Sequence, residues 1–218
     1  MTRRILIFDF DGTLADTMRE LVDALVHALR DQLGGDERRH RDLVTRIVYM
    51  QQRDALRAVV DMTGWPLSQL QSTMMAVTAG LPPRLFPEVP AVLAALKQAG
   101  FVIVISSNNP ADTFHERLDR VGLTNVYAFA LGTDTANGIA KEDHPRMAAE
   151  RLGVLPEELA AIGVYVGDLP SDMRLASKAG LLAIGRLTGG NADTLIAAGA
   201  QHVITDLTEL EPLLEQMA

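Results

Sequence analysis

The sequence predicts an α/β protein, a mainly parallel sheet covered by helices on both faces and interrupted early by an all-helical insert. Three observations predict it. Short apolar runs recur along the chain, stretches with helical spacing separate them, and residues 16–80 carry helical periodicity without a convincing strand. Short apolar strands alternating with helices are the pattern of a parallel sheet buried on both sides.

The elements follow in order. Residues 5–8, Ile-Leu-Ile-Phe, form a β-branched and aromatic run broken by Asp9-Phe10-Asp11-Gly12, a buried strand ending in a polar loop. Residues 16–32 place Leu21, Leu25, Ala28 and Leu29 at helical spacing, and Gly34-Gly35 can stop that helix. From Arg38 to about Ala79 further helical stripes follow, Leu43, Ile47 and Met50 in one and Leu56, Val59 and Val60 in another. Gly64-Trp65-Pro66 is a break, and residues 67–77 are a further helix. LPPRLFPEVP then places four prolines in ten residues, a rigid connector.

Beyond it the rhythm changes. Helices are expected at 89–98, 111–121, 141–152, 171–179, 191–198 and 207–216. Strands are expected at 101–105, 126–130, 161–166, 181–185 and 202–204. The expected division is a core of residues 1–15 and 81–218, with residues 16–80 as a helical cap over the carboxyl ends of the strands, where open α/β sheets bind ligands.

Composition bounds the function. A chain of 218 residues with 48% hydrophobic content can bury a substantial core. The net charge of −8 repels polyanions, which argues against nucleic acid or an anionic membrane as the main partner. There is no cysteine, so disulfides, thiolate nucleophiles and Cys-zinc sites are excluded, which is compatible with a reducing cytosol and a cytoplasmic location. The apolar run before Asp9 is too short for a signal peptide or a membrane span. Monomer and homodimer both remain open.

The chemistry concentrates at strand ends. Asp9 and Asp11 lie two residues apart just past a buried strand and would point to the same side if extended. Like charges that close call for a cation or a proton between them; the alternative is that they only end the strand and cap the next turn. A second pair, Asp168 and Asp172, follows the 161–166 strand. Asp172 falls in a first helical turn, where a carboxylate is favoured in any case. Hard oxygen donors without Cys or clustered His favour Mg²⁺ over Zn²⁺, with Asp9, Asp168 and a backbone carbonyl as ligands and Asp172 beside them. Ser106-Ser107 ends the 101–105 strand and suits phosphoryl oxygens, though serines also form ordinary turns. Lys141 would offset the charge of an incoming phosphate, if it is not simply a solvated lysine.

DFDGTLADT at 9–17, the strand ending in Ser106-Ser107-Asn108, Lys141, and VGDLPSDMRLASKAG at 166–180 together resemble the four motifs of the haloacid dehalogenase-like hydrolase superfamily, over the whole chain. The insert after the first motif is similar to the helical cap of the branch with phosphoglycolate phosphatases, β-phosphoglucomutases and phosphonatases. The resemblance implies a Rossmann-like core and a Mg²⁺-dependent phosphate-monoester hydrolase acting on a small phosphorylated metabolite. It implies Asp9 as a nucleophile forming an aspartyl-phosphate and Asp11 as general acid and base, its backbone carbonyl also a metal ligand. Gly12 and Thr13 would form the tight loop, Ser106 would bind phosphate with Ser107 as the neighbouring candidate, and Lys141 would neutralise charge. Asp168 would hold Mg²⁺ with Asp172 beside it.

The third motif departs from the pattern. Many relatives carry Pro directly after the Lys and again two residues later, whereas here KEDHP has Pro only at 145, and Asp143 and His144 become candidates to face the pocket. Gly132-Thr133-Asp134 reads as a turn. In the insert, Arg46 and Arg53, about two helical turns apart, are candidates for a leaving-group carboxylate or second phosphate, with Glu20, Tyr49, Gln51 and Gln52 as further candidates. Trp65 reads as packing. A phosphomutase, a nucleotidase or pyrophosphatase, and a regulatory binding protein on the same fold are the alternatives. A phosphonatase is disfavoured because no Lys occurs before residue 97.

Overall fold

A computed structural model of the chain describes residues 5–33, 36–49, 53–80, 83–123 and 125–217. Its centre is β1 (Ile5–Asp9), buried along its whole length. Six parallel strands form one sheet in the order β3-β2-β1-β4-β5-β6, with β2 Val102–Pro110, β3 Phe129–Thr133, β4 Gly163–Gly167, β5 Leu182–Arg186 and β6 His202–Ile204. The chain builds outward from β1 through β2 to β3, then returns to the other side of β1 to add β4, β5 and β6. The reversal leaves a crevice beyond the carboxyl ends of β1 and β4, the position where doubly wound sheets bind ligands.

Period-two alternation splits the strand residues between two layers. Leu6, Phe8 and Phe10 pack with α5 (Val89–Gln98), α6 (Ala111–Arg120) and α11 (Leu210–Gln216), through Leu93, Leu96, Phe114, Leu118 and Leu214. Phe10 meets Phe114 edge-on at 5.3 Å between ring centroids. Ile5 and Ile7 face the other way, toward Ala148 of α7 (His144–Leu152), Leu159 of α8 (Pro156–Ile162), Met173 of α9 (Pro170–Lys178) and Leu195 of α10 (Ala192–Ala197). A strand buried on both faces must be apolar throughout, which is why the 5–8 run carries no polar residue.

The insert forms α1 (Met18–Leu33), α2 (Glu37–Val48), α3 (Arg53–Thr63) and α4 (Leu67–Gly80) around their own apolar cluster, with Leu21, Leu25, Leu29, Val44, Val59 and Leu70 at its centre and Trp65 packed against it. Its two connections to the core are stitched together. Ala15 bridges Leu85 in antiparallel fashion, Asp16 N–H donates to Arg84 O at 2.7 Å, and Phe86 N–H donates to Leu14 O at 3.1 Å. Among the described residues no helix is long and apolar enough to cross a membrane.

Three expectations shift. The strand expected at 126–130 lies at Phe129–Thr133, because its register is set by pairing of Val104 with Phe129 and Ser106 with Leu131. The strand expected at 161–166 begins at Gly163, since residues 156–162 form α8; Pro156 opens that helix and the Glu158 carboxylate accepts from Leu155 N–H at 2.7 Å. β2 runs on past residue 105 to Pro110, so Ser106 and Ser107 belong to the strand rather than to a loop after it.

Candidate active site

Asp9 is the last residue of β1, paired in register with Ser106, and Asp168 is the first residue after β4. The loop between β1 and the insert turns sharply back on itself. The Phe10 carbonyl accepts from Leu14 and Ala15 N–H, each at 2.8 Å, and Gly12 N–H donates to Ala15 O at 2.7 Å. Gly12 sits at φ +84°, and a Cβ there would lie 2.2 Å from Asp168 Oδ2. Glycine is therefore required twice, for the left-handed backbone and for the close approach of the carboxylate.

Asp9, Asp168 and Asp172 converge. Each offers a carboxylate oxygen within 4.8 Å of the others, and all three residues are buried. Lys141 Nζ donates to Asp9 Oδ1 at 2.5 Å and to Asp172 Oδ1 at 2.7 Å. Asp172 also performs the helix-start role, its Oδ2 accepting from Leu169 N–H at 3.0 Å, so both readings of that residue hold together. Asp168 Oδ1 accepts from Thr13 Oγ1 at 3.1 Å, whereas Asp168 Oδ2 is buried with no hydrogen-bond partner among the described residues. Burial raises the Asp9 pKa to about 7, opposed by Lys141 and assisted by Asp172. Burial, with Asp9 and Asp172 adding repulsion, holds Asp168 well above the usual carboxylate range. Burial works against the Lys141 ammonium, but Asp172 and Asp9 outweigh it and keep its pKa well above that of an ordinary lysine. One ammonium against three carboxylates leaves the cluster short of positive charge. The orphaned Asp168 oxygen in an all-oxygen donor set fits a hard divalent cation.

The Asp11 side chain stands apart from this cluster. Its Oδ1 accepts from Thr17 Oγ1 at 2.9 Å and from the Arg117 guanidinium at 3.2 Å, and its Oδ2 accepts from Asn109 Nδ2 at 2.5 Å. The Asp11 carboxylate is thus committed away from the three-carboxylate cluster and faces the residues around Ser107. Asn109 and Arg117 escaped the sequence reading. Arg117 on α6 looks like one more charge on an amphipathic helix, and only the fold brings it beneath Asp11.

Comparison with known proteins decides the family. A family model described as haloacid dehalogenase-like hydrolase matches residues 6–185. The chain belongs to the haloacid dehalogenase-like hydrolase family. Among curated relatives it is 28% identical to Probable phosphatase IndB of Dickeya dadantii, over 93% of this chain and 89% of that protein. It is 26% identical to the phosphoglycolate phosphatase of Salmonella choleraesuis, over 93% and 88%. A crystal structure described as a predicted phosphatase from Clostridium acetobutylicum shares the fold, with a TM-score of 0.74 at 20% identity, covering 99% of this chain and 100% of that one.

In this haloacid dehalogenase-like hydrolase the two candidate serines have different surroundings. Ser106 is fully buried, and its hydroxyl is engaged by His144 Nδ1 at 2.8 Å and by the Tyr165 hydroxyl at 3.1 Å. Ser107 Oγ instead accepts from Asn109 N–H and Asn109 Nδ2, at 3.0 and 2.7 Å, and that same Nδ2 donates to Asp11. Ser107 therefore stands beside Asp11, and Ser106 lies beneath it as a support. The resemblance gives Ser106 as the phosphate binder with Ser107 as the neighbouring candidate, and the two hydroxyls have these different partners.

The departure at the third motif also has a local explanation. Lys141–Asp143 forms a 3-10 turn, and Asp143 Oδ2 accepts from Ala140 N–H at 3.0 Å, so Asp143 braces its own turn. His144 does not line the pocket; it is buried under the Lys141 turn, with Nε2 donating to Gly132 O at 3.2 Å. That bond puts the proton on Nε2 and leaves Nδ1 to accept from Ser106. Gly132 is thus more than a turn, since its carbonyl holds His144 and a Cβ there would lie 2.6 Å from Ala111 Cα.

In the insert, Arg46 is half-buried and lies 3.7 Å from Asp42 on its own helix. The side chains of Glu20 and Arg53 and residues Gln51 and Gln52 fall outside the described residues. Tyr49 reaches the core: its ring lies against Gly189, where a Cβ would be 2.4 Å from a ring carbon. Burial, then the charges of Asp168 and Asp16, push its phenol up to about 12, so it stays a neutral donor.

Proposed function

We propose that this chain hydrolyses phosphate monoesters of small metabolites, with Asp9 as nucleophile, Mg²⁺ as resident cation and α1–α4 as a cap. One observation carries the reading. Asp9, held by Lys141, shares a buried cluster with an Asp168 oxygen that has no partner among the described residues. A bound Mg²⁺ would satisfy that oxygen and offset charge on a phosphoryl group. Asp9 attacks phosphorus, the bond from phosphorus to the ester oxygen breaks, and Asp11 gives that oxygen its proton. Water then attacks the phosphoryl group on Asp9, the phosphorus–Asp9 bond breaks, and Asp11 takes the water proton. Lys141 and Ser107 steady the transferring oxygens, and Thr17, Asn109 and Arg117 hold Asp11 in position.

Relatives named phosphoglycolate phosphatase support a short, anionic leaving group. Arg46 and Arg53 remain the candidate cations for it, and Tyr49 is an insert residue whose ring packs on the core loop at Gly189. The test is phosphate release from a panel of monoesters that includes phosphoglycolate and sugar phosphates. Mg²⁺-dependent release that Asp9→Asn abolishes, with the fold intact by circular dichroism, is expected. Normal turnover by that variant would overturn the nucleophile. Isomerisation of a sugar phosphate without release would move the protein to the mutases.

A further inference from the structure

Arg186, at the end of β5, takes no part in the chemistry above, yet it is almost fully buried. Its Nη1 donates to the Thr13 backbone carbonyl at 2.5 Å, its Nη2 pairs with Glu88, and its guanidinium stacks 3.9 Å from the centroid of the Phe86 ring. Two residues on, Thr188 Oγ1 donates to the Gly12 carbonyl at 3.1 Å. The end of β5 therefore grips two successive carbonyls of the loop that follows the nucleophile. The other side of that loop is already committed, because Thr13 Oγ1 holds Asp168 Oδ1.

We propose that Arg186 is a positioning residue for the cation site, fixing Thr13 so that its hydroxyl aims the Asp168 carboxylate. A buried ion pair is a poor choice for stability alone, since an apolar residue of similar volume fills such a place at no greater cost. The fork of donors is what an apolar residue lacks: one arm reaches Thr13, the other reaches Glu88 in the turn that opens α5, and the ring of Phe86 fixes the plane. Arg186 stands outside the four motifs, and its contact with Thr13 joins positions 173 apart in sequence.

The inference rests on Asp168 holding a divalent cation, and its test reads binding rather than turnover. Mg²⁺ affinity by calorimetry, and the Mg²⁺-induced rise in Tm, are measured without substrate for wild type, R186M, R186K, E88Q and the R186M/E88Q pair, which leaves no buried unpaired acid. Mg²⁺ binding is expected to weaken about tenfold in R186M and in the pair, the lower end of what outer contacts to a metal site contribute. R186K, which can reach Thr13 or Glu88 but not both, should fall between, and E88Q should stay within about twofold of wild type. Unchanged affinity in R186M and the pair overturns the inference, as does an E88Q loss equal to that of R186M, which marks a general stability effect. Absence of Mg²⁺ binding by the wild type removes the metal reading itself, an outcome distinct from either.

Discussion

Replacing His144 with Gln separates what the buried imidazole does by packing from what it does by titration. Burial lowers its pKa from 6.5 to about 4, with the hydrogen bond to Gly132 opposing and the charge of Lys141 adding to the fall. Well above pH 6.5 the ring is neutral in both folded and unfolded chains, and its contribution to stability does not change with pH. Between 6.5 and about 4 the unfolded chain binds a proton that the folded chain refuses, so stability falls as pH falls. The gap between the two values is worth roughly 3 kcal/mol in full, of which about 2 kcal/mol is realised by pH 5. Glutamine can donate to Gly132 and accept from Ser106 without titrating. The assay is urea unfolding of both proteins at pH 8 and pH 5 with chelator present. The wild type should lose about 2 kcal/mol relative to H144Q between the two pH values, or about 4–8 °C in Tm for a chain of this size. A difference that stays constant across that range would show that the ring accepts a proton in place, and would refute the neutral imidazole held between Ser106 and Gly132.

Other outcomes follow from the same contacts. Gly12→Ala places a Cβ against Asp168 Oδ2 at a backbone angle that L residues rarely adopt, so it should abolish Mg²⁺ binding and lower kcat by at least about a hundredfold while the chain still folds; calorimetry and steady-state kinetics check this. Asp11→Asn should cost about 10²–10⁴ in kcat/KM, which reports the phosphoryl-transfer step, on alkyl phosphates and much less on an aryl phosphate, and equal losses on both would argue against proton donation by Asp11 to the leaving oxygen. Asp9 carries a folded pKa of about 7 against an unfolded 3.8, so the folded chain holds its proton more tightly. The metal-free H144Q protein should therefore lose stability as pH rises from about 4 to 7, and added Mg²⁺ should cancel that loss by favouring the ionised form.

The positions of the chemistry were legible because each acidic motif terminates an apolar run, and in a parallel sheet strand ends share one edge. Asp9, Asp168 and Asp172 meet for that reason, although Asp9 and Asp168 stand 159 positions apart, and Lys141 joins them from a 3-10 turn beyond β3. What stayed hidden depended on register or on side chains meeting across the fold. Ser106 and Ser107 differ only in which face of β2 they occupy, and that follows from a strand running to Pro110 rather than stopping at residue 105. Arg117 and Arg186 have no local signature. An Arg on a helix and an Arg after Ala-Ile-Gly read as surface charges until the fold buries them beside Asp11 and Thr13. Helix α8 was missed because its Ala-Ala-Ile end merges with the apolar start of β4, and only Gly163 marks the junction.

The identity of the residue that carries phosphate in mid-reaction tests the central claim most directly. Rapid quenching of the enzyme turning over a substrate labelled at phosphorus, followed by peptide mapping, should place an acid-stable, hydroxylamine-sensitive label on Asp9 alone. Label on any other residue, or turnover with no covalent label at any quench time, would contradict the account.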